Sequence, residues 1–199
     1  MKIKEFRHSG TINPAVSERE LRNRAVARRA AAEGFVLLKN DGTLPLAAGS
    51  KIALFGSGAG HTIKGGTGSG DVNERSRVSV FQGLKDAGFV ITSEQWIQDY
   101  DDTFNAARQA WRDDILKKSG GVNTPMFFPV YAENAFRMPF GRPVQSSDVG
   151  DADIGIYVIS RVAGEGADRK EEMATITLPS ARRKTLPFFP AACSMSSCC

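Results

Sequence analysis

Cysteine is missing from the first 192 residues; Cys193, Cys198 and Cys199 are crowded into the last seven. That placement excludes a disulfide framework for the bulk of the chain, and the spacing fits no paired zinc-ligand pattern. Histidine is nearly as scarce, with only His8 and His61. The first reads as a terminal surface residue and the second as a loop residue, so no metal is expected. No apolar run approaches bilayer-spanning length, and the start, MKIKEFRHSG, lacks the apolar core of a signal peptide. No membrane partner is expected, and the cytoplasm is the expected location. A sustained excess of charge is lacking too. The net charge is +4, but Arg182, Arg183 and Lys184 lie beyond all 22 acidic residues, so residues 1–172 are nearly neutral. They show no basic stripe with interleaved aromatics, which argues against a nucleic-acid partner.

What is present suits a soluble α/β protein. The 199 residues, 41% hydrophobic and 24% charged, can build one domain with a sizeable core or part of a larger protein. Residues 1–16 read as an irregular lead-in, broken by Gly10 and Pro14. Ser17 to Glu20, SERE, is a capping-box signature, and LRNRAVARRAAAEGFVLLKN (21–40) follows as a helix. Leu21, Ala25, Ala32 and Val36 would share its packing face, and Leu44-Pro45-Leu46 would tether it onward. KIALFG (51–56) reads as a buried strand, 79–88 as a short helix and 89–92 as a second strand. From Glu94 to about Lys118 a helix carries the stripe Trp96, Ile97, Tyr100, Phe104, Ala107 and Trp111, read as core and not as a ligand box. Residues 119–150 read as a long irregular segment whose prolines alternate with aromatics. Such a segment either binds something, with aromatic faces suited to sugar rings, or is pinned to its own domain.

The chain is organised around Ile154–Glu172, IGIYVISRVAGEGADRKEE. The β-branched and aromatic run Ile154 to Ile159 has the composition of a strand buried on both faces. It breaks into Gly164-Glu165-Gly166, where two glycines flank a single carboxylate, and then into a charged run. Such a strand can deliver Glu165 to the carboxyl edge of a sheet, where sites of open α/β folds gather; an ordinary turn would look the same. Alternating helices and buried strands predict a three-layer α/β/α sandwich with a mostly parallel sheet, truncated at its C-terminal end.

Two glycine-dense stretches invite a nucleotide reading and fail it. GSGAG (56–60) places its glycines as GxGxG, with His61 where the dinucleotide fingerprint needs its third glycine. GGTGSG (65–70) is followed by Asp71 where a phosphate loop needs lysine, and an acid there repels phosphate. No cofactor is expected.

Four blocks, AAAEGFVLLKNDGTLPL (30–46), KIALFGSGAG (51–60), GGTGSGDVN (65–73) and VISRVAGEGADRK (158–170), appear in an order that resembles the α/β-sandwich domain of glycoside hydrolase family 3, the β-glucosidase family. The likeness covers 17–172. It implies a retaining glycosidase acting on a β-glucoside-like carbohydrate, with a nucleophilic aspartate from a barrel domain and an acid/base glutamate from the GEG-type turn. That position is Glu165 here. The alternative is a non-enzymatic carbohydrate- or partner-binding α/β domain. Retaining chemistry needs both carboxylates, one to attack the anomeric carbon and one to protonate the departing oxygen. Asp168 and Arg169 are candidates for the same loop, to position it or touch sugar hydroxyls, with a solvated charge cluster as the other reading.

The sequence departs from the family pattern twice. A barrel of roughly 250 residues cannot fit before the first helix, so the barrel is missing and the chain alone is expected to be inactive. The likeness also stops at Glu172. Residues 173–199 hold no glycine, aspartate or glutamate. One permitted back-translation of Met173 to Pro179, read from its third base, restores the GDYYLT-like segment that the family would place there; only the glycine codon is forced. Residues 173–199 therefore read as an out-of-frame tail.

Overall fold

The computed structural model describes residues 14–66, 70 and 76–162. The chain divides into two compact units between Pro45 and Leu46, within the segment read as a tether. In the first unit, α1 (Glu18–Glu33) opens on a complete capping box. The Glu20 N–H donates to Ser17 Oγ at 3.3 Å, and the Ser17 N–H donates to Glu20 Oε2 at 2.8 Å. The helix ends at Gly34, whose N–H closes onto Ala30 O at 2.9 Å. It does not run on to Asn40 as expected. Glycine is a poor helix former, and the aromatic and β-branched pair Phe35-Val36 does not help it continue. Asn40 instead organises the following turn, its Oδ1 accepting from the Gly42 and Leu44 N–H groups. No residue of α1 is buried, so the face drawn through Leu21 and Val36 is not a packed one.

In the second unit a parallel sheet is ordered β2–β1–β3, from β1 (Lys51–Phe55), β2 (Val90–Ile91) and β3 (Ile154–Tyr157). Ile52 pairs with Ile91 on one side and Ile154 on the other, and Phe55 pairs with Tyr157. Parallel neighbours require crossovers. They are α2 (Val80–Asp86) between β1 and β2, then α3 (Glu94–Ser119), α4 (Phe127–Glu133) and α5 (Ser146–Val149) before β3. This is the α/β sandwich class expected from the alternation. The central strand is the driest element: Ile52, Ala53, Leu54 and Phe55 are each at most 1% exposed.

β2 is only two residues long because a side chain continues its ladder. The Leu54 N–H donates to Ser93 Oγ at 2.8 Å, and the Ser93 hydroxyl donates back to Leu54 O at 2.7 Å. Ser93, 2% exposed, thus satisfies both backbone groups of Leu54 where a longer strand would have done so. It is also the residue before α3, and its hydroxyl makes no cap there.

Helix α3 carries the aromatic stripe into the core. Trp96 meets Phe55 edge-on at 5.4 Å and stacks with Tyr100 at 5.9 Å. The polar tips have a second role that the periodicity does not reveal. Trp96 Nε1 donates to Arg142 O, Tyr100 OH to Pro139 O and Trp111 Nε1 to Asn134 O. These bonds fasten residues 134–142 to the helix. Arg142 adds a two-pronged contact to Asp148 and a third bond to Asp99, each at 2.7 Å. Of the two readings for 119–150, the pinned one describes this part, and α4 and α5 lie within it.

Candidate active-site cleft

Beyond β1 the chain crosses directly over the continuation of β3. Gly56 adopts φ +98°, and a Cβ there would stand 2.2 Å from the Val158 carbonyl oxygen. At Gly58 a Cβ would stand 2.0 Å from Ser160 Oγ and 2.7 Å from Val158 Cγ1. The Val158 N–H donates to Phe55 O at 2.8 Å, so the two segments stay joined just past the sheet. The glycines of GSGAG therefore permit two backbones to touch, and no phosphate is needed to explain them. Thr62 then locks the loop: its hydroxyl donates to Gly58 O at 2.9 Å and accepts from the Val80 N–H at 3.0 Å.

His61, read as an ordinary loop residue, is turned inward. Its ring stacks on Phe104 with centroids 3.8 Å apart. Nε2 lies 2.8 Å from Asp101 Oδ1. Both atoms are buried, and neither has another hydrogen-bond partner among the described residues. Burial pushes the His61 pKa below its usual value, Asp101 opposes that, and Arg77 adds to it. The imidazole is therefore neutral at pH 7. Gly60 makes room for the pair, since a Cβ there would reach Asp101 Oδ1 at 3.0 Å.

These elements wall a cleft of about 420 Å³, lined among others by His61, Arg77, Phe104, Arg108, Phe136 and Val162. Phe104 meets Phe136 edge-on at 5.5 Å, and the Arg108 guanidinium lies 5.0 Å from the Phe136 ring centre. Sequence reasoning missed His61, Arg108 and Phe136 as neighbours. The usable signal was that Asp101, Phe104 and Arg108 recur at three- and four-residue spacing on α3. Glu165, Asp168 and Arg169 lie outside the described residues, as do Cys193, Cys198 and Cys199. Val162, three residues before Glu165, is the last residue described.

This architecture, with a glycine crossing at the carboxyl edge of a parallel sheet, coincides with a match to the glycosyl hydrolase family 3 C-terminal domain over residues 35–194. The chain belongs to this family. It is 33% identical over 152 residues to β-glucosidase A of Butyrivibrio fibrisolvens, covering 71% of this chain and 15% of that protein. Among solved structures it is similar to β-glucosidase 3B from Thermotoga neapolitana in complex with glucose. That match has 33% identity and a TM-score of 0.59, covering 82% of this chain and 21% of that one. The complex of the same enzyme with α-D-glucose matches at 31% identity and TM-score 0.57, covering 84% and 22%. The family 3 chain thus spans about a fifth or less of the length of these relatives. The matched interval runs past Glu172, so its bounds take in most of the stretch read as out of frame. Among the described residues, no helix is long and apolar enough to cross a membrane.

Proposed function

We propose that this domain supplies the acid/base carboxylate, Glu165, to a retaining glycosidase of β-glucosidase type. One observation carries the reading: Val162, on the extension of β3, lines the cleft, and Glu165 follows three residues later. Three residues span at most about 11 Å between Cα atoms, which sets how far along the chain Glu165 can stand from Val162. The crossing at Gly56 and Gly58 holds the extension in place, and a fixed approach is what a proton donor within hydrogen-bond reach of a departing oxygen requires. Asp168 and Arg169 follow Glu165 in the sequence, and the same reading assigns them to positioning the loop or meeting sugar hydroxyls.

Family members that are β-glucosidases support a β-glucoside-like substrate. The nucleophile is assigned to a barrel domain outside these residues, so the 199-residue chain by itself should not hydrolyse glycosides. The test is to purify it free of host glycosidases and assay an aryl β-glucoside beside Glu165→Ala. Activity lost in that variant would show that the second carboxylate lies in this chain and would overturn the division of roles. The out-of-frame tail from Met173 also stands as a proposal. The coding sequence decides it: restoring one base before the Met173 codon should open a frame that continues into a barrel.

A further inference from the structure

We propose that the cleft accepts an aromatic group bearing a carboxylate, which makes phenolic-acid glycosides the favoured substrate class. This rests on the glycosidase reading and goes beyond it, from the sugar to what the sugar is attached to. The cleft wall carries a cluster of rings, His61 stacked on Phe104 at 3.8 Å and Phe104 meeting Phe136 edge-on at 5.5 Å. Such a wall favours a flat aromatic group over an alkyl chain. The charged side chains that line it among the described residues are Lys64, Arg77 and Arg108, all cationic. The charges are not interchangeable. The Arg108 guanidinium carbon lies 5.0 Å from the Phe136 ring centre and 5.3 Å from that of Trp111. Its N–H donors lie in the guanidinium plane, the geometry that meets a carboxylate edge-on while a ring packs beside it. Each of the three cations also has an interaction of its own within the protein. His61, neutral at pH 7, contributes its ring and no further charge.

The chemistry has two sources, an aglycone still joined to its sugar or the free aromatic acid, and the experiment separates them. The 199-residue chain is titrated with 4-hydroxybenzoate, its amide, cyclohexanecarboxylate and the β-glucoside of 4-hydroxybenzoate, followed by shifts in protein NMR signals. The acid should bind about fivefold tighter than the amide, the worth of a partly exposed charge pair, and the difference should shrink in high salt. Cyclohexanecarboxylate should be weaker by a similar factor. Arg108→Gln should abolish the preference for acid over amide. Phe136→Leu, which keeps an apolar side chain, should abolish the preference for the aromatic acid over cyclohexanecarboxylate. Unchanged far-UV circular dichroism and melting midpoint establish that each variant is folded. The glucoside should bind within a few-fold of the free acid. Equal affinity for acid and amide, a preference that survives Arg108→Gln, or no binding at 10-millimolar order would overturn the proposal. Binding of the acid with rejection of the glucoside would overturn its aglycone part. The hydrolysis test above asks where the second carboxylate lies and this titration reads binding alone, so hydrolysis by the 199-residue chain would overturn the division of roles without touching this selectivity.

Discussion

A methyl group on Gly56 would meet the backbone oxygen of Val158 at 2.2 Å, and the residue already holds φ +98°. On Gly58 the nearest obstacles are side-chain atoms, Ser160 Oγ and Val158 Cγ1, which have rotamers to move through. Both substitutions should destabilise, and unequally. Gly58→Ala is expected to cost about 1–3 kcal/mol, as overpacking does, while Gly56→Ala should cost more, because strain and a backbone clash add. Urea unfolding of the two variants measures this; equal losses would show that the loop yields. His61 gives a second residue-scale prediction. Its folded pKa lies below the unfolded value of about 6.5, so in that window the unfolded chain binds more protons. The stability it contributes is present above pH of about 6.5 and is lost as pH falls through the folded pKa. Unfolding free energies of parent and His61→Asn, compared from pH 7.5 to 5, should show a steeper decline in the parent. Parallel curves would mean that His61 does not titrate differently in the two states.

At the scale of elements, Ser93 decides how β1 is completed. Ser93→Ala removes the partner of the Leu54 N–H and of Leu54 O in a site sealed from water. An unsatisfied buried pair of this kind should cost about 1–3 kcal/mol, with the loss visible as faster amide exchange at Leu54. A variant as stable as its parent would mean that the ladder closes some other way. The same residue shows where pattern reading fails. The run Phe89–Thr92 suggests four strand residues, but β2 has two, since a hydroxyl standing in for backbone leaves no trace in hydrophobic spacing. Helix α3 was legible to within a residue, 94–118 against 94–119, because its aromatics recur at helical period and Gly120 ends it at φ +73°. Helix α1 was overrun by seven residues, as the apolar run Phe35–Leu38 imitates a helical face although it lies exposed beyond Gly34. Helix α4 was hidden by Pro129, which is tolerated only because it falls in the first turn. Of the site, the glycines were conspicuous and their purpose was not. They answer to a strand about a hundred residues away, as His61 answers to Asp101 forty residues on, and sequence spacing encodes neither meeting.

At the scale of the whole molecule, the chain is the family 3 C-terminal domain and spans about a fifth or less of the β-glucosidases it matches. The account therefore divides one reaction between two bodies: proton transfer from Glu165 here, nucleophilic attack from a barrel. General acid–base groups typically contribute 10²–10⁴-fold. The most direct measurement is the turnover of Glu165→Ala in the protein that joins this domain to a barrel, on glucosides of graded leaving-group acidity, with and without azide. The account predicts a fall of about 10²–10⁴-fold on an alkyl glucoside and a far smaller one on a nitrophenyl glucoside, whose departure needs little protonation. Azide, which attacks the glycosyl-enzyme without base assistance, should restore turnover and yield the β-glucosyl azide. An equal loss on both glucosides, with no azide product, would contradict it.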